Sequence, residues 1–573
     1  MILRYRIVKG HKYWSIVTSK RIVNKPREQT LLYLGRLDAL SSDELQIMIE
    51  KVRALGDNAL IHEFEAVLIR HGYPATSSSL TDYELKAVYS YGQEYVLVQI
   101  AKKLNLISLI DKESPKGGGP SLGKMTIALA IYAAIRPGSV YRFVEWYRRG
   151  ALSWLLELPV DEVTYDAALN TLDYLQPERT RKWERELYEI INREYKYRAE
   201  RIDIDSTVVE LEGTLCRMIA KFGRSKNGTG VGKRRQILIT YMIDQEGILL
   251  GHEVFPGNRN DAKSLKRINR RLLEVYNQSE VPRVVDRGYA SLKNIRVWKR
   301  RKEHFLAAVK SKVKSLDLLD KLGPRSEWEE IEEGWYVSSI IRGGIKWVVT
   351  WKDEVAKRNE EGREERIKKA RKKLEELMNR IEKGRIKSRT ERDRKIGEIV
   401  KRYEVRRYLE VKGRKGIRFR VNEKSDKEEE IESMDGYQVY ATTEVWMKDR
   451  EIVKAYRERD RIEKAIRTLK TSLGLGPVYL TRREHVLGHV YVHALAYQLR
   501  AVMGLGMKGE GMEMSVEEAL WELERLEVAE LVVKGKEVEV NRKIVEMDAT
   551  INTIIHIFSL DENGKLPGID LGI

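Results

Sequence analysis

Cysteine is almost missing from this sequence: Cys216 is the one thiol in 573 residues. A lone cysteine excludes an intrachain disulfide framework and any cysteine-based zinc cluster. Long apolar runs are missing too, and none reaches the roughly 20 residues that cross a bilayer. The opening MILRYRIVKGHKYWSIV does not resemble a leader and alternates as a strand does. No HExxH zinc motif and no clean helix-turn-helix signature occur. These absences lead to the expectation of a soluble, intracellular protein with no membrane partner.

Charge, by contrast, is abundant. The 106 Lys and Arg outnumber the 87 Asp and Glu, for a formal net charge of +19 and a pI near 9.5. An anionic partner follows, and for a chain of 66.7 kDa nucleic acid suits better than acidic protein. The competing explanation is a charge-rich enzyme from a heat-adapted source. The length suggests three or four domains.

Texture divides the chain further. Residues 1–50 form a strand-rich segment that alternates around a Lys-Gly-His turn and a Lys-Pro break. Residues 51–198 read as helical, interrupted by the loop SPKGGGPSLGK and by Arg136-Pro137-Gly138-Ser139. The basic, aromatic stretch VYRFVEWYRRGALSWLL makes this region a DNA-binding candidate, although such aromatics equally suit a core. Residues 199–312 change character. RIDIDSTVVELEG is a strand, QILITYMI and ILLGHEVF form a hairpin about DQEG, and a helix spans about 261–277. PRVVD and FLAAV are short buried strands separated by the helix ASLKNIRVWKRR. Three strands, then helix, strand, helix, strand, is the first part of a ribonuclease-H-like α/β sheet.

Residues 313–434 read as a charged α+β insertion, with strands around EGWYVSSIIRGGIKWVVTWK and a long Glu/Lys/Arg helix. The default for that helix is a solvated or coiled element, with direct DNA contact as the alternative. Residues 435–505 return to the core, with DGYQVYATT expected to re-enter the sheet. Residues 506–573 contain helix (SVEEALWELERLEVAELVV) and strands.

Phosphoryl transfer at a divalent pair needs several carboxylates, because Mg²⁺ is a hard cation that takes oxygen ligands. Asp205 lies inside the first core strand and Asp286 ends the fourth, where open α/β sheets place their sites. The stretch YRERDRIEKAIRTLK, residues 456–470, has Ile462, Ala465, Ile466, Leu469 and Leu473 at helical spacing. On one continuous helix, Tyr456, Arg459, Glu463 and Lys470 would share an arc of roughly 60° beside that stripe. Plain alternatives exist for each group. Asp203 and Asp205 would face solvent, Asp286 would cap the next helix, and the polar arc would be a charged face or a heptad seam. His485, His489 and His493 repeat every four residues, but their apolar neighbours favour a packed helix over zinc. The loop Gly257-Asn258-Arg259-Asn260-Asp261 reads as a turn followed by an N-cap.

The flanking words occur in a telling order: DSTVV at 205–209, FGRSKNG at 222–228, VFPGNRNDAKSL at 254–265, VDRGYAS at 285–291, then the stretch 456–470. This order resembles the DDE transposases of bacterial and archaeal insertion sequences that carry a YREK signature, the IS-four-like superfamily. Tyr456, Arg459, Glu463 and Lys470 meet that signature at every step of its spacing. The ending GPVYLTRREHVLGHVYVHALAYQL is similar to the branch named after the element IS-sixteen-thirty-four. The resemblance covers about residues 200–500.

The resemblance implies a ribonuclease-H-like catalytic core interrupted by a long α+β insertion, preceded by a mainly helical N-terminal region. It implies Asp205, Asp286 and Glu463 as the DDE triad holding Mg²⁺, with Mn²⁺ able to substitute. Arg459, Lys470 and Tyr456 would contact DNA. The implied activity is cleavage of transposon ends and their joining to target DNA, by a cytoplasmic prokaryotic protein that synapses two ends as a homodimer. The alternatives are a ribonuclease-H-like nuclease without strand transfer and a non-catalytic DNA-binding derivative.

Overall fold

The computed structural model describes the chain apart from residues 1, 23–24, 39, 74–82, 115–118, 213–215, 224–233, 260, 275–279, 310–317, 407, 414–418, 424–434, 534–539, 545–546, 560–565 and 567–573. Most of the word FGRSKNG therefore lies outside the described residues. The chain forms two compact units. The first joins Met1–Arg198, Ser206–Arg259 and Glu463–Ile573; the second joins Ala199–Asp205 and Asn260–Ile462.

The first unit begins with an antiparallel sheet of Ile2–Val8, His11–Ile22 and Lys25–Arg36. Leu3, Trp14, Ile16 and Leu34 pack on Met48, Val52 and Phe64 of the helices Ser42–Ala54 and Asn58–Arg70. The expectation that residues 51–110 are helical needs correction at one stretch. Tyr83–Ser90 is a strand, paired antiparallel with Glu527–Val533, which also pairs with Val540–Ile544. Its hydrogen-bond partner comes from the far end of the chain, so tertiary pairing overrides local propensity. For the same reason the stretch SVEEALWELERLEVAELVV is helical only over Val516–Glu524, and its remainder is the partner strand.

At the centre of this unit the helix Arg483–Gly509 is buried along most of its length. It packs against Gly92–Lys103, Leu122–Ile135 and Tyr165–Tyr174. Leu122–Ile135 (LGKMTIALAIYAAI) is apolar on nearly every side, as a fully enclosed helix must be. Gly488 permits the close approach, since a Cβ there would lie 2.4 Å from the Leu172 carbonyl oxygen. In the stretch 140–156, Phe143, Tyr147 and Leu152 enter the core while Tyr141 and Arg142 stay exposed. The expected hairpin is present: Arg234–Asp244 and Leu249–Pro256 pair antiparallel about a turn with Gly247 at φ +85°. The Ser206 and Thr240 hydroxyls, 2.6 Å apart, link this hairpin to the later half of the strand Ile202–Glu210.

The second unit is built on a sheet. Its order is Glu329–Glu332, Trp335–Arg342, Ile345–Lys352, Tyr437–Thr442, Phe305–Ala308, Arg283–Val285 and the start of Ile202–Glu210. The last three run parallel and the others antiparallel. Tyr437–Thr442 re-enters the sheet as expected. The strands Trp335–Arg342 and Ile345–Lys352, read from sequence as part of the insertion, extend this same sheet. The chain then leaves it for the helices Asp353–Glu382 and Arg389–Arg402 and the hairpin Leu409–Gly413/Phe419–Glu423. These close around their own small core of Ala370, Leu374, Leu377, Ile381, Val405 and Phe419.

Candidate active site

Strand register sets the positions of the two aspartates. Ile202, Asp203 and Ile204 pair in parallel with Arg283, Val284 and Val285. One residue further along both strands lie Asp205 and Asp286, side by side where the shorter strand ends. The Asp286 strand is held from below by a buried ion pair, Arg283 to Glu303 at 2.8 Å. Glu303 also accepts from Asn269 on the helix Asp261–Glu274 at 2.7 Å. Asp286 is not the cap of the helix that follows. Ser291 caps Leu292–Arg300, accepting from the Asn294 amide.

The aspartates share one cation. Arg459 donates from Nη2 to Asp205 Oδ2 at 3.0 Å, and its Nη1 lies 3.4 Å from Asp286 Oδ1. The same Nη1 donates to the Tyr456 hydroxyl at 3.3 Å. Arg459 is 6% exposed. Burial alone would lower its pKa, but the charges of Asp205 and Asp286 more than reverse this, so the guanidinium stays charged. The Tyr456 ring packs on Tyr440 of the strand Tyr437–Thr442, centroids 4.9 Å apart, and burial raises its phenol pKa. Tyr456 is thus supported by packing and aimed at Arg459.

The expected single helix through residues 456–470 is not what forms. One helix, Asp449–Arg457, ends just after Tyr456, and a second, Asp460–Lys470, begins just after Arg459. Between them the amides of Arg459, Arg461 and Ile462 bond three residues back, to Tyr456, Glu458 and Arg459. This tighter turn lets Arg459 leave the helical path toward the carboxylates. The one-face arc drawn from continuous helical geometry therefore does not apply. The apolar stripe of the second helix does form, with Ile462, Ala465 and Leu469 buried.

A supporting layer went unassigned in the sequence. Asp203, fully buried two residues before Asp205, lies 3.2 Å from Arg201. Arg201 in turn donates to Glu458 at 2.6 Å and to the Ala455 carbonyl at 3.1 Å. Asp203 and Arg201 therefore anchor the turn that presents Arg459. Burial pushes the Asp203 pKa up to about 6, against the pull of Arg201. The available signal was RIDID itself: charges alternating with Ile on a strand buried on both faces.

Asp205, Asp286, Tyr456 and Arg459 thus form one cluster within the second unit. Glu463 is exposed on the helix Asp460–Lys470, four residues past Arg459, and Lys470 is the last residue of that helix; both belong to the first unit. Among the described residues no three His, Cys, Asp or Glu side chains converge as a metal group. The three histidines make these contacts: His485 with Asp173 at 3.1 Å, His489 with the Leu475 carbonyl at 3.2 Å, and His493 with the His489 carbonyl at 2.8 Å, with the His489 and His493 ring centroids 4.0 Å apart. Burial lowers the pKa of His489, and that of His493 to about 4. Of the loop after Pro256, the Arg259 amide bonds the Pro256 carbonyl and its guanidinium lies over the Phe255 ring.

Residues 196–499 match a family model described as the transposase DDE domain. The chain belongs to this family. More than half of its length is matched, and the domain comprises the aspartate strands, the insertion and the stretch 456–470. It is a mixed α/β, ribonuclease-H-like domain behind a largely helical N-terminal region. No curated protein sequence matches the chain. Solved structures that match include one titled "Mos1 transposase paired-end complex with left transposon end", at 14% identity and a TM-score of 0.13. The match covers 33% of this chain, and this chain spans 59% of that one. No helix among the described residues is long and apolar enough to cross a membrane.

Proposed function

We propose that this transposase DDE domain cleaves the ends of its own insertion sequence and joins them to target DNA. The observation that carries the proposal is the pairing of Asp205 and Asp286 on adjacent parallel strands around Arg459. Two carboxylates that share a counter-cation offer the hard oxygen donors that Mg²⁺ takes, with Mn²⁺ as substitute. Asp205 and Asp286 would hold the metal, with Glu463 as the third ligand. A metal held there would supply Lewis-acid polarisation of the scissile phosphate and of the attacking oxygen.

This chain's own residues do the rest. Arg459 and Lys470 hold phosphate oxygens near the scissile bond, where positioning and charge stabilisation supply most of the rate. Tyr456 fixes the direction of Arg459. Water attacks first at the element ends, and the freed 3′-hydroxyls then attack the target strands in line. Two ends require two active sites, hence a homodimer on DNA in a prokaryotic cell. The spacing Tyr456, Arg459, Glu463, Lys470 supports the YREK group, and the ending at 476–499 supports its IS-sixteen-thirty-four-like branch.

The test uses duplex DNA carrying the inverted repeats that flank the coding region. Wild-type protein should nick and then join it in Mg²⁺. Asp205→Asn and Glu463→Gln should each abolish nicking yet retain DNA binding, because the basic surface supplies that affinity. Undiminished nicking by either variant would overturn the assignment.

A further inference from the structure

Within the insertion, net positive charge is concentrated beyond the first helix. Residues 383–420 hold 16 Lys and Arg against 5 Asp and Glu, a net +11 of the chain's +19. The two helices on either side of the first turn in this stretch, Asp353–Glu382 and Arg389–Arg402, are laced along their sides by their own ion pairs. Lys357–Asp353, Arg358–Glu354, Lys369–Glu365 and Lys373–Glu376 neutralise the first. Arg394–Glu398 and Lys395–Glu391 do the same on the second. Such exposed sides have little net charge left to offer a partner.

The turn between the helices differs. Lys383, Arg385, Lys387 and Arg389 are all exposed there, and none forms an ion pair among the described residues. Holding four like charges together in seven residues costs repulsion that nothing in the turn offsets. The turn is nevertheless ordered by its backbone. The amides of Lys383, Gly384 and Arg385 bond the carbonyls of Asn379, Ile381 and Arg380, each at 3.0 Å, and Gly384 takes φ +69°. Ile386, 2% exposed, pins the turn into the insertion's core between the flanking cations. Ser388 then caps the helix Arg389–Arg402, so the positive end of that helix begins at the turn.

We propose that this tip is a docking surface for the phosphate backbone of duplex DNA, held by Lys383, Arg385, Lys387 and Arg389. The proposal rests on the reading of the chain as a DNA-processing enzyme and adds a binding surface outside the carboxylate cluster. A rigid turn presenting four cations suits a polyanion with closely spaced charges, and phosphate contact requires no base recognition. Sequence-independent grip is what a target duplex of arbitrary sequence demands.

The test is a fluorescence-anisotropy titration of the full chain with mixed-sequence duplex DNA across a range of salt concentrations. The variant Lys383→Gln/Arg385→Gln/Lys387→Gln/Arg389→Gln should bind at least about tenfold more weakly at about 0.1 M salt. Its slope of log affinity against log salt should be shallower by roughly 3.6, at about 0.9 for each of the four phosphates no longer neutralised. Exchanging Lys for Arg and Arg for Lys at the four positions should restore both values, because charge is what counts. Lys357→Gln/Lys369→Gln, whose cations are paired on the side of the first helix, should leave them nearly unchanged. Wild-type affinity and slope in the tip variant would overturn the proposal, as would an equal weakening in the side variant. If the wild-type chain itself bound no duplex DNA, the DNA-processing reading would fall, and the tip with it.

Discussion

Arg459 serves two anions whose demands change when a divalent metal arrives. In the structure it neutralises Asp205 and Asp286 at 3.0 and 3.4 Å. A divalent cation would compete for the same oxygens, so the arginine and the metal are electrostatic rivals. Arg459→Gln should therefore destabilise the metal-free protein by about 1–3 kcal/mol, discounted for the partial exposure of both aspartates. Added Mg²⁺ should recover that stability, giving the variant a larger rise in melting temperature than the wild type, by differential scanning fluorimetry. Strand joining should stay low by about tenfold or more even at saturating Mg²⁺, because the guanidinium that would hold the phosphate is gone. An equal Mg²⁺ shift in both proteins would refute the rivalry.

At the scale of elements, a buried acid makes one helix contact sensitive to pH. Glu94, on the helix Gly92–Lys103, is 1% exposed and accepts the Ala151 amide at 2.6 Å, at the start of Leu152–Leu155. Burial pushes its pKa up to about 8, with the Ala151 and Leu152 amides opposing. The folded state thus holds a proton that the unfolded chain releases near the ordinary value of 4.5. Stability from this group is complete below about pH 4.5 and falls as pH rises toward 8. Glu94→Gln should flatten the melting-temperature profile across that window, read by circular dichroism. A profile as steep as the wild type's would show that another group carries the dependence.

Legibility in the sequence varied with how local each cause was. The hairpin about Gly247 and the short strands before Asp286 and after His304 were readable, because turn residues and β-branched runs act within a few residues. The break before Asp460 was not, since YRERD contains no glycine or proline and its cause is a carboxylate pair reached through tertiary packing. Tyr83–Ser90 was hidden because its partner is remote. Asp205 and Asp286 were visible as site candidates from strand position. Their shared arginine and the buried Arg201–Asp203 brace appeared only once the sheet had brought distant segments together.

For the whole molecule, the first unit is assembled from three separated stretches, and its strand Tyr83–Ser90 is completed by Glu527–Val533. The ribosome therefore releases the N-terminal stretch long before its partner strand exists. Until then Tyr83–Ser90 is an open edge on a nascent chain, a template for pairing with other copies. A chain ended after Gly509 should accumulate as aggregate, and any soluble fraction should be cut by protease in the 83–90 region, where the full chain is protected. Protection equal to that of the full chain would show that the edge is covered some other way. Translation thus becomes a timer: an unfinished copy removes itself, and only synthesis through the partner strand delivers a folded first unit.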